Sequence, residues 1–246
     1  MPTLEVPLDS LQSVILAAPF ADRLELCDDL PSEGWTPTMT LIREARAHID
    51  PARTQIVSMI RPRSATNSQR LDIAAFTTTP RILDDCLREI DASGNAGADS
   101  VAIGLLTADG HVDMEACSRM RDVALEHGMI VAFLRTFDLL ADRTRGMDDI
   151  TSLGMTRVVT AGVLGWDQSI LTLPERLAVL AADVRNADAA AAKYGVPAVE
   201  VVPGGGVRAS NAAEFLTVSP HLHASCRRNG AIAREELQML RDALDA

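Results

Sequence analysis

The sequence has no run of about 18 consecutive apolar residues, so no membrane-spanning helix is expected. Its first residues, MPTLEVPLDS, lack a basic stretch followed by a long apolar one, and no secretory signal is read there. Positive charge is also scarce. Against 34 Asp and Glu stand 23 basic residues, a net charge of −11. A surface made for phosphate backbones is basic, so nucleic acid is not an expected partner. Lysine is nearly absent: only Lys193 is lysine, and the other basic residues are arginine. The bias is global, so position must carry any argument about a single arginine. The four cysteines, Cys27, Cys86, Cys117 and Cys226, form no Cys-x-x-Cys pair and no disulfide framework. They read as small apolar residues in a reducing compartment, and the protein is expected to be cytoplasmic. No linker, low-complexity segment or charge run divides the chain.

What is present is regular alternation. Short β-branched runs fall at 3–7, 23–27, 55–61, 100–106, 130–137, 157–161, 198–202 and 221–225. Helical patterns lie between them, near 9–18, 38–48, 80–92, 114–127, 147–153, 173–194, 211–217 and 234–245. Alternation of this kind implies parallel strands joined by crossover helices. Eight such units in about 250 residues predict an α/β fold, a closed (β/α)8 TIM barrel, as a single domain over residues 1–246. A doubly wound open sheet is the alternative, but no Gly-x-Gly-x-x-Gly follows the first strand. Asp113 is placed to cap the helix that follows it, and Pro174 to open another. Asn211 with Glu214 has capping-box spacing. Gly128, Gly154 and Gly195 mark helix ends.

In such a barrel alternate strand residues face inward, and the site lies at the C-terminal strand ends. In "RLELC", Glu25 and Cys27 then face the barrel if Leu24 and Leu26 meet the helices. In "SMIRPRS", Met59 and Arg61 share a face and Arg63 follows in the loop. In "VAFLRTFD", Phe133, Arg135 and Phe137 are read as sharing the inner face, with Asp138 just beyond. In "HLHAS", His221, His223 and Ser225 share a face. "PGGGVR" brings Gly204, Gly205, Gly206 and Arg208 to the same rim. Arginine is costly to bury unpaired, so arginines gathered at the mouth of an acidic protein predict a seat for a small carboxylate or phosphate. Glu25, His223 and Asp138 are the candidate acid–base groups. Arg61, Arg63, Arg135 and Arg208 are the candidate clamp, and Gly205 and Gly206 offer backbone N–H groups.

Each residue also has a plain structural reading. Arg61 or Arg135 can pair with Glu25 or Glu5 as barrel filling, and His223 can be a hydrogen-bonded interior histidine. "GGG" can be a tight turn and Asp138 a cap. His221-x-His223 could offer two imidazoles to zinc, but no third ligand is evident. Cys27 could hold a soft ion such as Cu(I), and one thiolate makes a poor site.

The ordered set "LEV" (4–6), "ADRLELC" (21–27), "GWTPT" (34–38), "MIRPR" (59–63), "DGHVDM" (109–114), "FLRTFD" (133–138), "GGGVRASN" (204–211) and "HLHAS" (221–225) resembles the CutC family of copper homeostasis proteins. The resemblance spans nearly the whole chain. It implies a cytoplasmic, often oligomeric (β/α)8 barrel that handles copper. It matches the family's polar rim at Glu25, Arg61, Arg63, Arg135, Asp138, Arg208 and His223, with Cys27 the one matching cysteine. The chain departs from the family pattern at Leu134, where members usually carry histidine. It departs again at Pro7–Ser10, where some have cysteines, and in a short segment after the eighth strand. Three functions therefore compete: a copper-handling protein, an enzyme or binding protein for a small anionic metabolite, and a non-catalytic homo-oligomeric scaffold.

Overall fold

The computed structural model describes residues 2–65 and 71–246. Eight strands form one sheet: β1 (Thr3–Leu8), β2 (Arg23–Leu26), β3 (Gln55–Met59), β4 (Ser100–Ile103), β5 (Ile130–Phe133), β6 (Arg157–Thr160), β7 (Glu200–Pro203) and β8 (His221–His223). Around them run α1 (Leu11–Ala17), α2 (Met39–His48), α3 (Ile73–Phe76), α4 (Pro80–Ala96), α5 (Met114–Glu126), α6 (Arg143–Ser152), α7 (Leu173–Tyr194), α8 (Ala212–Leu216) and α9 (Arg234–Asp245). A small antiparallel hairpin, β9 (Arg227–Arg228) with β10 (Ala231–Ile232), follows β8.

Neighbouring strands pair in parallel in the order β7-β6-β5-β4-β3-β2-β1-β8. The first strand thus pairs with both the second and the eighth, as in a TIM barrel. β7 and β8 close the ring side by side without a ladder. Across this join the hydroxyl of Ser219, just before β8, donates to Val201 O at 2.6 Å.

Alternation along the strands makes two environments. Leu4, Val6, Leu8, Leu24, Leu26, Ile56, Val101, Ile103, Val131, Val158, Val201 and Leu222 point outward into one apolar layer beneath the helices. The inner face is polar below and apolar above: Glu5, Arg23, Glu25 and Arg157 are buried inside the barrel, capped by Cys27, Val57, Met59, Ala102, Ala132 and Leu134. The hydrophobic layer supplies most of the folding free energy. The polar interior needs mutual pairing to be tolerated.

Several boundaries differ from the sequence reading. β5 ends at Phe133, and Arg135–Leu139 form a 3-10 turn. Phe133 and Phe137 therefore belong to the outer layer, stacked edge to face at 6.5 Å, while Ala132 and Leu134 face inward. Extending alternation through a turn reverses the phase. The sixth helix starts at Arg143, where Asp142 Oδ1 accepts from Arg145 N at 3.0 Å, rather than at 147. α3 and the hairpin are short and carry no long-period signal. Asp113 caps α5 by accepting from Ala116 N at 3.0 Å, as expected. Asn211 makes no capping box. Its Oδ1 accepts from Arg208 N at 2.8 Å and its Nδ2 donates to Gly206 O at 3.1 Å, which fixes the loop after β7. A reciprocal box occurs instead at Thr172 and Glu175.

Candidate functional site

The C-terminal strand ends open into a cavity of about 470 Å³. Its floor comes from β2 and β8, its walls from the loops after β3, β5, β6 and β7, and its edge from the hairpin.

The floor is a chain of charges. Glu5 Oε1 accepts from His223 Nδ1 at 3.0 Å, and Glu5 Oε2 lies 3.5 Å from Arg157 Nε. The other edge of the imidazole, Nε2, lies 3.9 Å from Glu25 Oε2. Arg157 Nη2 also donates to Ser100 Oγ at 3.0 Å. Burial would push the Glu5 carboxyl up, but Arg157 and the His223 hydrogen bond outweigh it and hold Glu5 at about 2. Glu25 has no such partner. Burial, reinforced by the negative charge of Glu5, pushes it up to about 7 against the pull of His223. Burial lowers His223, but the hydrogen bond to Glu5 and the Glu25 charge win and leave it raised. Two carboxyls on one histidine thus separate into a fixed anion and a group that titrates near neutrality, which suits acid–base work.

The wall is cationic and aromatic. Arg61 donates from Nη1 to Gly34 O at 2.9 Å and Ser32 O at 3.2 Å, and its guanidinium lies 4.1 Å over the Trp35 ring. Its buried Nε has no partner among the described residues. Arg135 donates from Nη2 to Trp166 O at 2.6 Å and lies 4.4 Å over that ring, which itself stacks on Phe76 at 5.7 Å. Stacking fixes the planes of these cations, and among the described residues Arg61 keeps Nε and Nη2, and Arg135 keeps Nη1, without a protein acceptor. Arg208 donates from Nη1 to Val207 O at 2.8 Å and to Ser225 Oγ at 3.2 Å. At the edge Asp9 accepts from Arg227 Nη2 at 2.7 Å.

The cavity brings together Glu25, Cys27, Arg61, Arg135, Gly205, Gly206, Arg208 and His223 from distant parts of the sequence. Two candidates lie outside it. Arg63 has a 58% exposed side chain, pairs with Asp28 and stands 5.6 Å from the centre of the Trp35 ring. Pro62 turns it away from Arg61. Asp138 is buried with both oxygens occupied. Oδ1 accepts from Thr160 Oγ1 at 2.6 Å and Arg143 Nη1 at 3.2 Å, and Oδ2 from Ala161 N at 2.9 Å and Arg135 Nε at 3.1 Å. It anchors Arg135 and joins β6 to the loop after β5, and no lone pair is left for substrate chemistry.

The donors suit copper poorly. The Cys27 thiol donates to Leu8 O at 3.5 Å, and burial, aided by Glu25 and Asp9, pushes it well above its ordinary range. A soft ion needs the thiolate. The Met59 thioether packs in the same apolar group. Among the described residues no group of three or more His, Cys, Asp or Glu could hold a metal ion. His221 is spent on Thr3, with Nδ1 2.8 Å from its hydroxyl.

Sequence reasoning missed Arg157, Arg176 and the stacking tryptophans. Arg157 begins β6 and faces inward by alternation, a signal that was available. Arg176 sits in the first turn of α7, and only the fold brings it to the loop after β7.

A model of the CutC family matches residues 2–227. A CutC family protein of Chromobacterium violaceum is 32% identical over 234 residues, covering 94% of this chain and 83% of the relative. A human relative named copper homeostasis protein cutC homolog is 30% identical over 227 residues, covering 91% of this chain and 73% of its own. Among solved structures, a copper homeostasis protein CutC from Streptococcus agalactiae superposes with a TM-score of 0.76 at 24% identity, covering 92% of this chain and 99% of that one. A 3-hexulose-6-phosphate synthase superposes with a TM-score of 0.63 at 16% identity, covering 98% and 99%. These two likenesses establish the TIM-barrel fold. No helix among the described residues is long and apolar enough to cross a membrane.

Proposed function

The chain belongs to the CutC family, and from that premise we propose that it binds a small organic anion in the mouth of its barrel and exchanges a proton with it through Glu25. The observation that carries this reading is the meeting of Arg61, Arg135 and Arg208 around one cavity with Glu25 and His223 at its floor. The arginines attract and orient a carboxylate or phosphate. Glu25, poised near neutrality, donates or accepts the proton, while Glu5 keeps His223 turned toward it. Four free, buried cysteines favour a reducing, cytoplasmic setting.

Malonate, followed by thermal denaturation, tests the reading. The anion raises the melting temperature of the wild type, and Arg61→Ala and Arg135→Gln weaken that rise while Cys27→Ser leaves it intact. Equal responses in the arginine and cysteine variants refute the clamp.

A second reading takes up the name of the human and mouse relatives, copper homeostasis protein. The observation in its favour is the neighbourhood of two sulfurs, Cys27 and Met59, beside the cavity. It requires Cys27→Ser to lower Cu(I) affinity. A thiol that holds its proton implies unchanged affinity.

A further inference from the structure

Arg176 reaches the loop after β7 from the helix side, packed 5.2 Å over the Phe215 ring. Its Nε donates to Ala161 O at 2.7 Å, and its Nη2 donates to Gly204 O at 3.0 Å and Gly205 O at 2.7 Å. In a trans peptide the C=O and the following N–H point in opposite directions. Carbonyls drawn out to Arg176 therefore turn the N–H groups of Gly205 and Gly206 to the other side of the loop, where both residues line the cavity. Among the described residues neither N–H has an acceptor. The backbone requires glycine here: φ is +63° at Gly205 and +80° at Gly206, and a Cβ on Gly205 would lie 2.3 Å from Gln168 Oε1.

Two further donors flank these amides. Arg208 lines the same wall, held by Asn211 at its backbone and by Val207 O at its guanidinium. Ser225 Oγ accepts from Arg208 Nη1, which leaves the hydroxyl proton free for the cavity. Two N–H groups, a guanidinium and a hydroxyl arrive here from two strand ends, and successive backbone N–H groups beside a guanidinium form an anion nest. They suit a group with three terminal oxygens.

We propose that Arg176 is a positioning residue that turns the Gly204–Gly206 peptides into a phosphate seat with Arg208 and Ser225, and that the cavity takes a small phosphorylated acid whose carboxylate end lies against Arg61 and Arg135. This rests on the anion-binding reading above and adds the substrate class. The phosphate stays fixed at the loop after β7 while the carbon skeleton lies over Glu25.

Inorganic phosphate, malonate and 2-phosphoglycolate are the probes, titrated into 15N-labelled protein. Phosphate moves the Gly205 and Gly206 amide resonances downfield in the wild type, and 2-phosphoglycolate binds at least about tenfold tighter than phosphate or malonate because both ends are engaged. Arg208→Gln raises the phosphate dissociation constant by roughly tenfold or more, as loss of one charge-assisted contact implies. Arg176→Met abolishes the two amide shifts, and Arg176→Lys restores them in part. A loss of packing alone would not restore amide shifts in this way. Should Arg176→Met fail to fold, the wild-type shifts and Arg208→Gln decide. Unmoved glycine amides in the wild type, or equal phosphate affinity in Arg208→Gln, overturn the seat. With malonate still active, that outcome removes only the seat, whereas inertness to all three probes removes the anion reading as well.

Discussion

Glu25→Gln should make the protein more stable, and only at neutral and alkaline pH. Glu25 is 6% exposed and its nearest cation, His223 Nε2, stands off at 3.9 Å, so burial outweighs that pull and its ionised form is unfavourable in the fold. Its rise from 4.5 to about 7 has a definite pH signature. Below pH 4.5 the carboxyl is protonated in both folded and unfolded chains and costs nothing. Between 4.5 and about 7 the folded chain holds the proton more tightly, so stability falls as pH rises. Above 7 the whole cost is in place, about 3 kcal/mol for a displacement of this size. The neutral amide escapes it. The gain is trimmed because His223 loses part of its own support from the Glu25 charge. An upper bound of about 3 kcal/mol corresponds to a melting temperature higher by roughly 6–12 °C at pH 8 for a chain of this size. Scanning calorimetry of both proteins at pH 4 and pH 8 measures it. A gain equal at the two pH values, or a loss at pH 8, would refute the assignment of Glu25 as a strained, titrating group.

Glu5→Gln should act in the opposite sense, because Glu5 balances the buried Arg157 and holds His223. Leaving that guanidinium uncompensated costs about 3–5 kcal/mol in urea unfolding at pH 7. Since Glu5 is lowered to about 2, its contribution is complete above pH 4.5 and disappears as pH falls toward 2, so the two proteins should converge in acid. Native protein at pH 8 should resist iodoacetamide at all four cysteines. Burial pushes Cys117 and Cys226 up to about 12 and raises Cys27 and Cys86 as well. Mass spectrometry should find four alkylated thiols only after unfolding. Rapid labelling of Cys27 alone would mean its thiolate is accessible in the mouth.

The barrel was legible because its outer layer obeys a simple rule: residues such as Leu24, Leu26, Val101 and Ile103 alternate with inner ones along short strands separated by helices. Most of the mouth was legible by the same alternation at Glu25, Arg61 and His223. It failed where strands stop. Beyond Phe133 the chain turns into a 3-10 segment, which sent Phe137 outward and occupied Asp138 in a buried network while still delivering Arg135 to the cavity. Beyond Arg61 the proline turned Arg63 to solvent. Arg176 lies on a helix, where strand alternation has nothing to say, and its partners are backbone carbonyls that carry no residue-type signal.

The join between β7 and β8 has a mechanical consequence. Every other neighbouring pair of strands is zipped by backbone bonds, whereas among the described residues this one carries no ladder, and the Ser219 hydroxyl just before β8 donates to Val201 O. The Gly204–Gly206 loop stands directly above that seam. Since no rung spans the seam, that loop is tied down from outside the pair, by Thr160 O accepting from Gly204 N at 2.8 Å and by Arg176 on the Gly204 and Gly205 carbonyls, and these ties rather than the sheet set the width of the mouth at that point.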